Sequence, residues 1–322
     1  MKKKIPIILG EPYSINSEII AKSFKKANNN TKKKIFLIGN YSLFKNQLKY
    51  LKIKIPIKKI KSFDENIASH GLKILDVPLK FKNIFAVKDN DISKYIKDCF
   101  NLAHKLAMSK KINGFINCPI DKKKTFKSQS IGVTEYLANK HNSKNKEVMM
   151  IYNKELSVVP ITTHINIKFV SKKLNKDLIF KKIKTLNTFY YKLFKKKPRI
   201  AILGLNPHNN ELRNNSEEKK IIIPCIKELK KIKIKIAGPF PADTIFSNIK
   251  KYNCNVIVGM YHDQVLAPFK AIYKFNAINI TLGLKYIRVS PDHGTAKDLF
   301  GKGVANSSSL EDSINFISKI KI

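Results

Sequence analysis

Short apolar runs alternate with amphipathic stretches along the whole 322-residue chain. Nine runs read as strands, at 4–9, 34–39, 113–117, 147–152, 156–162, 199–205, 233–237, 255–260 and 277–282. They are rich in Ile and Val and mostly lack polar–apolar alternation, which is how strands covered on both faces read. Between them, Ile92, Tyr95, Ile96, Cys99, Leu102, Ala103, Leu106 and Ala107 recur at the spacing of one buried helix face, predicting a helix over 92–107. Leu178, Ile179, Ile183, Leu186, Phe189, Tyr190 and Leu193 predict a second over 177–194. Strand–helix alternation points to an α/β architecture, and the length exceeds what one core usually supports, so two domains are expected.

Composition narrows the class. Hydrophobic residues make up 43% of the chain, enough for a substantial core. No apolar run approaches the ~20 residues that span a bilayer. After the opening lysines only Ile5–Leu9 is apolar, too short for a secretory signal, so a cytoplasmic protein with no membrane partner is expected. Cys99, Cys118, Cys225 and Cys254 are scattered and read as reduced thiols. The net charge of +40 is carried by 60 lysines and only Arg199, Arg213 and Arg288, spread evenly. Together with abundant Ile, Asn, Phe and Tyr, it reads as a base-composition bias. No basic helix, zinc finger or RNA-binding aromatic signature accompanies it. No nucleic-acid partner is expected, and a nucleic-acid-binding protein is the remote alternative, motivated by charge alone.

Glycine, proline and histidine are scarce, so their clusters stand out: Thr162-Thr-His164, Gly204-Leu-Asn-Pro-His208, Gly238 to Thr244, Tyr261-His-Asp-Gln264 and Ser290 to Ala296. His164, His208 and His262 each follow an apolar run directly. Each therefore falls just past the C-terminal end of a buried strand, where open α/β sheets bind ligands. Three imidazoles with an open coordination position suit Zn²⁺ or a similar ion. Asp263 is a candidate partner of this site or its general base. His104 falls on the polar side of 92–107, and His70 and His141 in polar loops. No G-x-G-x-x-G follows the first strand, so spacing alone establishes no nucleotide site.

These clusters, taken in order from Gly10-Glu-Pro12 through Gly204-Leu-Asn-Pro-His208, Pro241-Ala-Asp-Thr244, Met260-Tyr-His-Asp-Gln264, Asn279-Ile-Thr-Leu-Gly283 and Asp292-His-Gly-Thr-Ala296, resemble the 4-hydroxythreonine-4-phosphate dehydrogenase family of pyridoxal phosphate biosynthesis. The resemblance implies a two-domain fold like isocitrate and isopropylmalate dehydrogenases, with mostly parallel sheets and the active site in the interdomain cleft. The expected domains are 1–120 with 280–322 on the cofactor side, and 121–279 for metal, substrate and dimerisation. It implies NAD, or NADP, and one divalent ion per subunit (Zn, Mg or Co). His164, His208 and His262 would be the ligands, at a homodimer interface. Thr134, Lys270, Asn279 and Arg288 match substrate-binding positions. Asp292, His293, Gly294, Thr295, Ala296 and Asn306 match the loop holding the cofactor's adenosine end. Lys122, Asp243 and Asp263 are the candidates for the general base. The implied reaction oxidises 4-phosphohydroxy-L-threonine at C3 to 2-amino-3-oxo-4-phosphooxybutanoate, which decarboxylates to 3-amino-2-oxopropyl phosphate.

The chain departs from the family in three places. Val133 stands where the family has His in Gly-His-Thr-Glu, and valine cannot donate a hydrogen bond to substrate. Tyr13, Ser14, Asn16 and Ser17 interrupt a glycine-rich first turn. Asn209, Asn210 and Glu211 follow His208 where the family has Ala-Gly-Glu. Val133 motivates the alternative substrate, a four-carbon phosphorylated sugar acid such as 4-phosphoerythronate or 4-phosphothreonate.

Overall fold

All nine apolar runs contribute strands in the computed structural model, which describes residues 4–63, 71–126, 132–140 and 147–320. The strands are β1 (Ile5–Ile8), β2 (Ile35–Gly39), β3 (Ile57–Ile60), β4 (Leu72–Asp76), β5 (Gly114–Asn117), β6 (Val148–Tyr152), β7 (Ser157–Pro160), β8 (Ile200–Leu203), β9 (Ile236–Phe240), β10 (Val256–Gly259), β11 (Ile278–Leu282) and β12 (Ile287–Pro291). The run at 233–237 forms its strand a few residues later than expected. Strands β3, β4 and β12 went unread. β3 carries Lys58 and Lys59 outward, β4 contains Lys73, and Arg288 and Ser290 interrupt the apolar pattern of β12.

The chain divides into two units, Met1–Ser130 with Lys285–Ile320, and Ile131–Leu284 with Lys321–Ile322. In the first, the strand order is β3-β4-β2-β1-β5-β12, with every pairing parallel. In the second, the order is β11-β6-β7-β10-β8-β9. There β6 runs antiparallel to both β11 and β7, while β7, β10, β8 and β9 are mutually parallel. β1, β2, β5, β7, β8 and β10 are buried along their whole length, as their lack of alternation requires.

The helix predicted over 92–107 spans Asp89–Met108 and buries Ile92, Tyr95, Ile96, Cys99, Ala103, Leu106 and Ala107. His104 is half-buried on it rather than polar-facing, because its Nδ1 lies 2.9 Å from the Tyr286 hydroxyl. The second predicted helix spans Lys176–Phe194, and Asn175 caps it by accepting the Leu178 N–H at 2.8 Å. All four cysteines are free thiols, three of them buried. No helix among the described residues is long and apolar enough to cross a membrane. His70 and His141 lie outside the described residues.

The glycine-poor turn after β1 is rebuilt by side chains. Gly10 keeps a φ of +79°, and a Cβ there would stand 2.7 Å from the Pro119 carbonyl. Asn16 Nδ2 donates to the carbonyls of Leu9 and Pro119, both at 2.9 Å. Ser14 Oγ donates to Glu11 O at 2.5 Å and accepts the Asn16 N–H at 3.2 Å. Ser17 Oγ donates to Gln47 Oε1 at 2.5 Å, and Gln47 Nε2 donates to Pro12 O at 2.8 Å. Tyr13 accepts the Val87 N–H at 2.6 Å. The departures at 13, 14, 16 and 17 therefore carry the bonds that hold this turn. Asn16→Gly removes two buried bonds and is expected to lower the unfolding free energy by about 1–3 kcal/mol. A denaturant midpoint checks this, and an unchanged midpoint would mean that the backbone alone holds the turn.

Candidate active site

Parallel pairing sets a row of functional side chains along one sheet edge of the second unit. β10 lies between β7 and β8, and β9 lies beyond β8. His164 follows β7, His262 follows β10, His208 follows β8 and Asp243 follows β9. Chain direction alone brings these four residues to the same edge. The His164 and His262 rings lie 5.9 Å apart between centroids. Asp243 Oδ2 lies 3.7 Å from His208 Nε2, and Asp263 Oδ1 lies 2.9 Å from His262 Nδ1. Among the described residues, no group of three His, Cys, Asp or Glu side chains stands ready to hold a metal ion within one chain.

The loops carrying these histidines are tied by buried hydrogen bonds. Thr162 donates both its N–H, at 3.1 Å, and its Oγ1, at 2.7 Å, to Met260 O. Gln264 Oε1 accepts the Met260 N–H at 2.7 Å, and its Nε2 donates to Gly204 O at 2.7 Å. Glu218, fully buried, then accepts the N–H groups of Leu205 and Asn206 at 2.7 and 2.8 Å. Gly204 is required here, because a Cβ would meet Asn209 Oδ1 at 2.1 Å. The loop then turns left-handed, with φ of +49° at His208, +57° at Asn209, +48° at Asn210 and +50° at Glu211. Asparagine is among the few non-glycine residues that enter this region readily. Asn210 in place of the family's glycine therefore keeps the loop's conformation.

Glu135 stands behind His164. Its Oε1 lies 3.6 Å from His164 Nδ1 and accepts the Thr163 hydroxyl at 2.9 Å. Its Oε2 is buried without a hydrogen-bond partner. Burial pushes the Glu135 carboxyl up, but His164, the Glu135 backbone N–H and Thr163 outweigh it and hold it at about 2. Lys182, on the helix Lys176–Phe194, is buried, and Glu147 and Glu135 are the anions acting on it. Gly132 closes the group, since a Cβ there would meet Glu135 Oε2 at 2.4 Å and the His164 ring at 3.0 Å.

The predicted substrate positions fall in both units. In the second, Thr134 is buried with its Oγ1 3.0 Å from Thr281 Oγ1. Asn279 shares a face of β11 with Thr281, two residues on, and its Oδ1 is buried without a partner. Lys270 is half-buried near the Phe275 ring. Val133 is buried at the start of the helix Val133–Lys140. In the first unit, Arg288 is a buried residue of β12 rather than a surface ion-pair partner, and its Nε donates to Asn117 Oδ1 at 2.5 Å. Asp292 to Ala296 follow β12 at the C-terminal edge of that parallel sheet. Ser309 Oγ accepts the Asp292 N–H at 2.9 Å, His293 Nδ1 lies 2.9 Å from Gly294 O, and Thr295 O accepts the Ile15 N–H at 3.2 Å. Ala296 takes a φ of +44°, and a Cβ at Gly294 would face open space. Asn306 Oδ1 accepts the Ser308 N–H at 2.8 Å at the head of the helix Ser308–Lys319. Lys122, the first residue of the helix Lys122–Phe126, is exposed.

Sequence reasoning missed the roles of Glu135, Gln264, Glu218 and Lys182. Glu135 and Gln264 belonged to motifs already singled out, but nothing in their spacing showed what they would face. Glu218 and Lys182 sit in lysine-rich stretches that read as solvated surface.

The family model described as pyridoxal phosphate biosynthetic protein PdxA matches residues 31–317. A 4-hydroxythreonine-4-phosphate dehydrogenase from Sulfurihydrogenibium sp. is 35% identical over 99% of this chain and 98% of its own. A provisionally named D-threonate 4-phosphate dehydrogenase from Oceanobacillus iheyensis is 31% identical over 98% of this chain and 97% of its own. The crystal structure of 4-hydroxythreonine-4-phosphate dehydrogenase from Klebsiella pneumoniae superposes with a TM-score of 0.84 at 28% identity, covering 99% of each chain. Isocitrate dehydrogenase from Methylococcus capsulatus, at 10% identity and a TM-score of 0.50 over 98% of this chain and 84% of its own, shares the fold.

Gln264→Leu would strand the Met260 N–H and the Gly204 carbonyl in a buried setting. At about 1–3 kcal/mol for each stranded group, the expected loss of stability is about 2–6 kcal/mol. Denaturant unfolding reads it; a loss below about 0.5 kcal/mol, the range of ordinary surface substitutions, would show that Gln264 does not brace these loops.

Proposed function

This chain belongs to the pyridoxal phosphate biosynthetic protein PdxA family, and from that membership we propose that it oxidises the C3 hydroxyl of 4-phosphohydroxy-L-threonine with NAD in the cytoplasm. The observation that carries the proposal is the row His164, His262, His208 and Asp243 along one edge of four adjacent parallel strands.

The donor set fits a divalent ion. The His164 and His262 rings, 5.9 Å apart between centroids, would hold it from adjacent strand ends. His208 would supply the third nitrogen, with the three histidines drawn from both subunits of a dimer. Exposed Ile165, Ile167, Phe169 and Leu212 flank His164 and His208, and an apolar surface of this kind favours a homodimer. When bound, the ion supplies Lewis-acid polarisation of the substrate hydroxyl, and NAD supplies the hydride acceptor.

The protein's own residues bind and orient. Asp263 accepts from His262 Nδ1 and so keeps that ring's Nε2 facing outward. It therefore acts as an orienting partner, leaving Asp243 and Lys122 as candidates for the general base. Asn279 Oδ1 and the Thr134 hydroxyl offer hydrogen-bonding positions to the substrate. Lys270, in the same unit, supplies a cationic partner for its phosphate. In the first unit, the segment Asp292–Ala296 with Asn306 fits the adenosine end of NAD. It leaves β12 at the ligand-binding edge, and Gly294 leaves open space beside its backbone.

Buried Val133 favours a second reading, a 4-phosphoerythronate or 4-phosphothreonate substrate. These acids carry a hydroxyl where phosphohydroxythreonine carries an amine. NADH formation on both substrates separates the readings. Faster turnover of phosphohydroxythreonine, abolished by a chelator and restored by added zinc, is expected. Turnover of the sugar acid alone would move the assignment to the second reading. His208→Ala is expected to lose metal and activity together, and full metal content in that variant would remove His208 from the ligand set.

A further inference from the structure

The group behind His164 contains a half-buried side chain that the oxidation chemistry does not use, the Glu135 carboxylate, whose Oε2 is buried without a hydrogen-bond partner. Glu135 Oε1 faces His164 Nδ1 at 3.6 Å, a separation that a small ring rotation closes to a hydrogen bond. The same oxygen is already fixed by the Thr163 hydroxyl at 2.9 Å, from the residue next to His164. The carboxylate is thus bonded to the segment that carries the ring, and it cannot turn away without breaking that bond. Gly132 leaves no room on the far side: a Cβ would stand 2.4 Å from Glu135 Oε2 and 3.0 Å from the imidazole. Lys182 places a cation within electrostatic reach of Glu135 and Glu147 from the helix Lys176–Phe194.

We propose that Glu135 is the positioning residue of His164, accepting its Nδ1–H so that Nε2 points outward as a metal donor. The proposal rests on the metal reading above. A carboxylate on the distal nitrogen of a ligating histidine fixes the tautomer and raises the basicity of the ligand. Asp263 stands in the same relation to His262 at 2.9 Å. The two carboxylates differ in setting: Asp263 is exposed to solvent at 83% of its side chain and Glu135 at 27%. Water screens and competes for an exposed carboxylate far more than a sheltered one, so the positioning effect concentrates at His164.

The test is zinc affinity, measured by competition with a chromogenic chelator on the full-length chain stripped of metal and titrated back. Glu135→Gln keeps the shape but accepts from the ring more weakly, and is expected to weaken zinc binding by about 10–100-fold. Its metal-free melting temperature should stay near that of the wild type, and its turnover at saturating zinc should largely recover. Zinc affinity within twofold of wild type in Glu135→Gln, with affinity lost in His164→Ala, overturns the positioning role and leaves the metal reading standing. No zinc binding by the wild type, or unchanged affinity in His164→Ala, overturns both. If Glu135→Gln fails to fold, ring-nitrogen NMR of the zinc-loaded wild type decides, with His164→Ala identifying the signal. A proton on Nδ1 is expected, and a proton on Nε2 overturns the proposal.

Discussion

Backbone pairing around Met260 is the constraint on which the candidate site depends. β10 is flanked by β7 and β8 in parallel register, so the three chains leave the sheet side by side and pointing the same way. Just past β10, the Met260 carbonyl takes two bonds from Thr162 and its amide bonds Gln264, whose other end holds Gly204. One residue's peptide groups therefore set the spacing of all three histidine-bearing loops. The asymmetry of buried hydrogen bonds makes this arrangement specific. A satisfied bond adds only about 0.5–1.5 kcal/mol, while a stranded partner costs about 1–3 kcal/mol. Alternative loop positions are disfavoured mainly by what they would leave unpaired.

How far the sequence disclosed this follows from the same physics. The β7, β8 and β10 strands are covered on both faces, so they appear as uninterrupted Ile- and Val-rich runs, and a histidine past each run marks the edge. Chain direction does the rest, because parallel strands put their C-terminal ends together. What could not be read is strand order and side-chain reach. Nothing in the spacing says that β10 lies between β7 and β8, and so nothing says that Gln264 spans from Met260 to Gly204. Glu218 is hidden for a different reason. Lysines follow it directly, which suits solvent, yet it is fully buried by accepting backbone N–H groups of the loop at 205–206. The strands that escaped notice also carry lysine, arginine or serine within their spans.

The same compositional pressure acts on the turns, with the opposite sign. Positions where related chains use glycine here carry Ser14, Asn16 and Asn210. At Asn210 the backbone is left-handed, which asparagine tolerates. At Ser14 and Asn16 the side chains donate or accept bonds that glycine could not make. A glycine in such a turn loses the most conformational entropy on folding, so its replacement by a bonded polar residue also lowers the entropic cost of ordering the loop. In both places the polar residue is compatible with the turn that it occupies. Val133 is different in kind, because it exchanges a hydrogen-bond donor for a buried apolar surface and leaves the backbone alone.

Lysine shows how far the bias penetrates. Of the 60 lysines, those buried among the described residues are Lys73 and Lys182. Desolvation of an ammonium is costly unless it is paired or can lose its proton, which keeps a compositional surplus of lysine at the surface. The two exceptions pay that cost differently. Lys73 sits over the Phe36 ring and donates to the Lys33 carbonyl, and burial together with the charge of Lys4 pushes its ammonium down. For Lys182 burial again pushes the ammonium down, but Glu147 and Glu135 act against it. Lys182 is thus the buried lysine whose charge is opposed by burial and favoured by carboxylates. Glu135, half-buried on the helix Val133–Lys140, meanwhile accepts the Thr163 hydroxyl from the loop after β7.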